Sequence, residues 1–221
     1  METRPDTASP LSVWDLDGTL LRRPTFTPFL IFSASRLKLW RLVGVPVWFA
    51  AMAGYAIGLW PRKSLKQFGL WLFLRGVSQA DLDKIAESFA DKVWPHWLTN
   101  EAREALANDR AEGRRTILAT AAMGFYARVI ARRAGFDHIV STTHFVDGAD
   151  LLIEGDNCYG PAKLAQLLDL LGPERPPHVR AWSDSLADAP LLDWADDAVL
   201  VGKSAKLARI AAQRGWRHAR L

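Results

Sequence analysis

Cysteine is almost absent from this chain of 221 residues. Cys158 stands alone, which excludes an internal disulfide framework and suits a reducing compartment. An apolar leader is lacking too: Met1 to Pro10 is polar, so a cytoplasmic location is expected. Acid is missing over one long interval, with no Asp or Glu between Asp17 and Asp81. From Pro24 to Trp97 there are no β-branched alternating runs, and the chain as a whole has no internal repeat or low-complexity tract. His96, His138, His144, His178 and His218 are scattered, without metal-ligand spacing. What is present in excess is base. The net charge is +4 and the pI about 9.4, much of it Arg spread over helical segments. That spread gives little support to a nucleic-acid partner and fits an anionic membrane surface or a phosphorylated substrate. About half of the residues are apolar, enough for one domain or for a core with a substantial insertion.

Leu11 to Asp17 reads as a strand, Arg115 to Thr120 as a buried second one, and 137–142, 179–183 and 198–201 as three more. Helices are expected over 98–110 (capped by Thr99 or Asn100), 124–134, 162–171, 186–194 and 204–214, with a hairpin turning at Asp147-Gly148. This alternation predicts an α/β fold: a doubly wound parallel sheet, built from residues 1–21 and 98–221. Residues 22–97 are too long for a crossover and read as an inserted helical cap.

The chemistry gathers at the expected strand ends. Asp15 and Asp17 share one face, since residues i and i+2 of a strand point the same way. Two carboxylates that close repel unless a cation lies between them or one is protonated. Thr120 ends the second strand, Lys163 opens a helix after Gly160-Pro161, and Asp184 and Asp188 follow 179–183. In a doubly wound sheet these ends converge on one crevice. A donor set of oxygens alone suits Mg²⁺. Taken singly, each feature has a plain structural reading as a turn, a solvated Lys or a helix cap. Their common order and placement are what those readings leave unexplained.

In that order the chain resembles the haloacid dehalogenase superfamily of phosphatases. Asp15-Leu16-Asp17-Gly18-Thr19 is similar to its first motif, Thr120 to the second, Lys163 to the third and Asp184-Ser185-Leu186-Ala187-Asp188 to the fourth. The resemblance implies that Asp15 is the nucleophile and forms an aspartyl-phosphate, while Asp17 is the general acid and then the base. It implies that Thr120 and Lys163 bind the phosphoryl oxygens. Mg²⁺ would be held by Asp15, Asp184 and the carbonyl of Asp17, with Asp188 acting through water or hydrogen bonds. Dehalogenating members lack an acid at the Asp17 position, so a phosphatase is expected here. Ala121 and Ala122 depart from the polar residues common in relatives.

An insertion after the first motif resembles the helical-cap subclass that includes phosphoserine phosphatases. Those carry a Glu shortly after the motif for the substrate amine; Leu21 to Phe26 contains none, which speaks against phosphoserine. Leu42 to Trp60 runs without a charge and is flanked by Arg36, Lys38 and Arg41 before and Arg62, Lys63 and Lys66 after. Its length suits a membrane span, with Trp near the ends. A single crossing is forbidden, because Asp15 precedes it while Thr120, Lys163 and Asp184 follow. Residues 42–60 are therefore expected to form a helical hairpin at the bilayer surface, kinked near Gly44 and Pro46. The alternative is a helix pair whose apolar faces bury each other or a second copy. The cap resembles in character that of bacterial phosphatidylglycerophosphate phosphatases, which implies a lipid phosphate as substrate. A phosphatase of a soluble metabolite, a phosphomutase and a non-catalytic membrane-surface module are the competing readings. Cys158 has no His partner and reads as structural.

Overall fold

The computed structural model describes residues 8–221; most of the polar stretch Met1 to Pro10, on which the cytoplasmic expectation rests, lies outside them. The chain opens with β1 (Leu11–Trp14) and then runs through four helices: α1 (Phe26–Leu37), α2 (Gly44–Ala56), α3 (Arg62–Leu74) and α4 (Gln79–Trp97). Helix α5 (Asn100–Ala111) leads into β2 (Arg115–Met123), α6 (Gly124–Ala134) and β3 (His138–Thr142). A hairpin of β4 (His144–Asp147) and β5 (Asp150–Ile153) precedes α7 (Pro161–Leu171). The chain finishes with β6 (Val179–Ser183), α8 (Ala189–Trp194), β7 (Asp197–Val201), α9 (Ala205–Arg214) and β8 (Arg217–Ala219).

Six strands form one parallel sheet in the order β3-β2-β1-β6-β7-β8. The direction of winding reverses between β1 and β6, the point at which such sheets open a crevice at their carboxyl ends. Apolar residues cover both faces. Val13, Ile117, Val179 and Ala181 pack under α7 and α8. Trp14, Leu118 and Trp182 join the opposite core. That second core continues without a break into the inserted helices: Phe29 of α1 stacks on Tyr126 of α6 at 4.6 Å and meets Phe89 of α4 edge-on. The insertion is thus anchored by shared packing as well as by its two chain connections.

Three local expectations change. The first strand stops at Trp14, three residues early, because the chain after it coils back, with Leu21 N–H on Leu16 O and Gly18 N–H on Leu21 O. The expected helix over 186–194 is a 3₁₀ turn at Leu186–Asp188 followed by α8. Strand β8 adds a sixth strand to the five expected; at three residues it is too short to show a period. Thr99, rather than Asn100, caps α5, accepting from the Ala102 N–H.

Leu39–Ala56 is, among the described residues, the stretch long and apolar enough by composition to cross a membrane. It is divided, however. Leu39–Val43 is 3₁₀ and α2 begins at Gly44, so Gly44 and Pro46 mark a helix start, not a kink within a helix. Thirteen residues of α-helix reach only about 20 Å, short of a hydrocarbon core of about 30 Å. Helices α2 and α3 form a hairpin closed at Gly58, with the Trp60 ring laid where a side chain at Gly54 would stand. Trp48 buries against α3, but the outer face stays bare: Val43, Ile57 and Leu59 are each more than 60 % exposed, and Val47 and Phe49 about half. The two helices bury one side of each other's apolar surface, through Trp48 on Gly69 and Phe73, and leave the other side bare.

Candidate active site

Tight turns carry the two leading carboxylates. β1 ends at Trp14, whose neighbour Asp15 donates its N–H to Trp182 O of β6, holding the strand ends level. Gly18 then turns at φ +83°, a conformation that costs a side-chain-bearing residue about 1–2 kcal/mol. It also lies so close to Asp184 that a Cβ there would stand 2.2 Å from Oδ2. Thr19 Oγ1 accepts the Asp184 N–H at 2.9 Å, tying the loop after β1 to the loop after β6.

Lys163 links the set. Gly160, at φ +60°, and Pro161 start α7 so that Lys163 falls in its first turn, buried. Its Nζ donates to Asp15 Oδ1 at 2.7 Å and to Asp188 Oδ2 at 2.5 Å. Ser183 Oγ donates to the same Asp188 oxygen at 2.7 Å. Asp188 therefore contacts Lys163 directly, beside the role toward Mg²⁺ that the family resemblance implies for it. Thr120 lies two residues past Leu118, the partner of Trp14, and so at the same sheet edge. Its Oγ1 accepts the Ala122 N–H at 3.0 Å. The Ala121-Ala122 departure sits where β2 shifts register against β3, and Ala121 contributes its carbonyl, which accepts from Thr142 Oγ1 and Lys66 Nζ.

Burial is the main electrostatic force here. It raises Asp15, with Lys163 opposing, and it pushes Asp17 up to about 7, with the charge of Asp15 adding to the effect. Asp184 is pushed up to about 6 by burial and then by Asp15. Burial alone would lower Lys163, but Asp15 and Asp188 hold it above its ordinary value. The Cys158 thiol is pushed up to about 12 by burial, which leaves it an inert packing group. Asp17 Oδ1 accepts the Thr25 N–H at 2.9 Å, and Thr25 Oγ1 donates in turn to Tyr126 OH.

A divalent cation fits these donors. Asp15 and Asp184 are near enough to repel each other, and Asp188 Oδ1 is buried without a hydrogen-bond partner. Among the described residues no three His, Cys, Asp or Glu side chains converge as a ligand group, so a cation would rest on two carboxylates and a backbone carbonyl.

Thr25, Ser183 and Lys66 belong to this neighbourhood, and the sequence motifs give them no place in it. Ser183 adjoins Asp184, where its capping chemistry offers a signal. Lys66 reaches Asn157 across 91 residues, a contact made by packing that local spacing does not signal.

A family model described as haloacid dehalogenase-like hydrolase matches residues 12–193. The protein CicA of Caulobacter vibrioides is 28% identical over 193 residues, covering 85% of this chain and 83% of its own length. The phosphoserine phosphatase SerB1 of Mycobacterium tuberculosis is 29% identical over 148 residues, covering 65% of this chain and 48% of its own. Among solved structures, a protein of unknown function from Bordetella pertussis Tohama I superposes with a TM-score of 0.83 at 25% identity, over 96% of this chain and 98% of that one.

Proposed function

Because the chain belongs to the haloacid dehalogenase-like hydrolase family and is a phosphatase, we propose that it hydrolyses a phosphate monoester through an aspartyl-phosphate on Asp15. The observation that carries this is the buried Lys163 ammonium held between Asp15 and Asp188. It neutralises the nucleophile and offers charge to phosphoryl oxygens in the same place. Phosphoryl transfer is largely positioning and charge neutralisation, so this is the arrangement it needs.

Asp15 attacks phosphorus; an Asp15 oxygen–phosphorus bond forms while the ester P–O bond breaks. Asp17, its pKa near 7, delivers its proton to the departing alcohol oxygen. In the second half, Asp17 takes a proton from water as that water attacks phosphorus, and Asp15 is released with inorganic phosphate. Thr120 and Lys163 bind the phosphoryl oxygens throughout. Mg²⁺, held by Asp15, Asp184 and the carbonyl of Asp17, would supply further neutralisation of the phosphoryl charge. Gly18→Ala tests the packing behind this. Its Cβ must displace Asp184, so the rate should fall by about 10²-fold, the expected cost of a misplacement near 1 Å. Full phosphate release by Gly18→Ala would refute the role given to Asp184.

The substrate class we propose is a lipid phosphate, taken from an anionic membrane at its cytoplasmic face. Helices α2 and α3 line the crevice beside Asp17, and Leu65 lines both this crevice and an apolar groove of about 520 Å³ with Val47, Ala51 and Phe68. The exposed Val43, Ile57 and Leu59 present apolar surface outward. Nine Lys and Arg against no acid between positions 18 and 80 match an anionic surface. Val43→Asp combined with Ile57→Asp should weaken binding to phosphatidylglycerol vesicles by about 100-fold, since each buried aliphatic side chain is worth roughly 1.5 kcal/mol or more. Flotation measures this. With Mg²⁺ present, vesicles bearing phosphatidylglycerophosphate or phosphatidate should release phosphate. Hydrolysis of soluble sugar phosphates alone would overturn the lipid assignment.

A further inference from the structure

Two cations border the crevice without an acid of their own. Arg62 opens α3 and Lys66 follows at i+4, so both occupy one helix face. The crevice, about 210 Å³, is lined by both and by Phe26, Trp48 and Met52, and among the described residues Asp17 is the one acid on its wall. Asp17 protonates the leaving oxygen in the mechanism above, so this is the space into which the alcohol portion of the substrate extends.

Neither cation is neutralised. The Arg62 guanidinium lies over the Tyr159 ring at 4.2 Å and makes no hydrogen bond or ion pair among the described residues. Stacking on an aromatic face leaves its in-plane N–H groups free to donate. Lys66 is buried and donates to the neutral oxygens of Ala121, Thr142 and Asn157, with no carboxylate in contact. Burial and then Arg62 pull it down to about 7. Placing a second cation one turn from a buried ammonium is unfavourable on its own, and an anion between them reverses the sign.

We propose that Arg62 and Lys66 form a second anion site that reads a negative group on the alcohol side of the phosphomonoester. Arg62 supplies the hydrogen bonds and Lys66 the charge. This rests on the phosphatase reading and narrows it to substrates carrying a phosphodiester or a carboxylate next to the phosphomonoester.

The test compares kcat/KM within two pairs of monomeric substrates. One pair is dihexanoyl phosphatidylglycerophosphate against dihexanoyl phosphatidate; the other is 3-phosphoglycerate against glycerol 3-phosphate. In each pair only the first member carries the extra anion, a diester in one case and a carboxylate in the other. The wild-type chain should favour that member about tenfold or more in at least one pair, as a hydrogen bond to a charged group predicts. The pair that responds identifies the anion. Arg62 is exposed, so its variants should fold. Arg62→Gln should bring the ratio close to one, Arg62→Lys should keep part of it, and Arg62→Glu should invert it. A wild-type ratio near one in both pairs, with phosphate released from all four, overturns the anion site alone. So does a ratio that Arg62→Gln and Arg62→Glu leave unmoved. No release from any of the four substrates overturns the phosphatase reading and this inference with it.

Discussion

Asp15→Asn should abolish phosphate release, by on the order of 10³-fold or more, while the protein stays folded and still binds anionic vesicles. The amide keeps the shape of the carboxylate and an oxygen that can accept from Lys163 Nζ, which sits 2.7 Å away in the wild type. It removes the anionic carboxylate that attacks phosphorus in the proposed mechanism. Lys163 keeps Asp188 as its counter-charge, so the ammonium is not stranded. The loss should therefore lie in kcat, with the melting temperature within a few degrees of wild type. Covalent phosphate trapped by acid quench in the wild-type chain should be missing from the variant. Residual turnover within tenfold of wild type would remove Asp15 from the nucleophile's role. Loss of vesicle binding in parallel would mean that the variant had unfolded, which circular dichroism distinguishes.

The second large effect is on stability and comes from a residue far from the reacting atoms. Asp109 of α5 is fully buried and accepts from Ser12 Oγ, from Trp14 Nε1 at 2.9 Å, from Trp182 Nε1 at 3.0 Å and from Arg180 Nη1 at 2.6 Å. The two indoles are stacked at 4.6 Å. Trp14 immediately precedes Asp15, and Trp182 stands two residues before Asp184. One carboxylate thus pins the ends of β1 and β6 just behind the residues that carry the chemistry. Asp109→Ala leaves the buried Trp182 indole N–H without its acceptor and takes one of three carboxylates from Arg180, which keeps Asp197 and Glu112, while the Trp14 indole keeps Ser12 Oγ. That should cost about 3 kcal/mol, the upper end of the usual effect of stranding a buried donor, with the lost Ser12 and Arg180 contacts added. At 2–4 °C per kcal/mol for a chain of this size, the melting temperature should drop by roughly 10 °C. Asp109→Asn keeps one acceptor oxygen and should fall between. A melting temperature for Asp109→Ala within 2 °C of wild type would show that the cluster is incidental.

Legibility in the sequence divided along a physical line. The carboxylate pair at 15 and 17, the Gly-Pro start before Lys163 and the Asp-rich loop after 179–183 are each produced by a few adjacent residues. Strand alternation, helix starts and turn chemistry are local rules. Helix α6 is an example: its end at Gly135 (φ +73°) could be read from glycine's freedom in the left-handed region. The early stop of β1 could not, because the coil after Trp14 is held by backbone bonds that form only once Leu21 has folded back. Lys66 and Arg62 were noticed only as flanking base of an apolar run. Their place beside Asp17 depends on α3 packing across the crevice.

The sequence by itself determined the reaction class and the alternation of strands and helices, since both are written in short-range spacing. Tertiary structure alone decided the strand order, with its reversal between β1 and β6, and the one core shared by the sheet and the inserted helices. It also decided the burial of Asp109 under two stacked tryptophans and which face of α2 is left to solvent. Those features depend on contacts between residues dozens of positions apart, where loop closure and packing choose among partners that composition and periodicity treat alike.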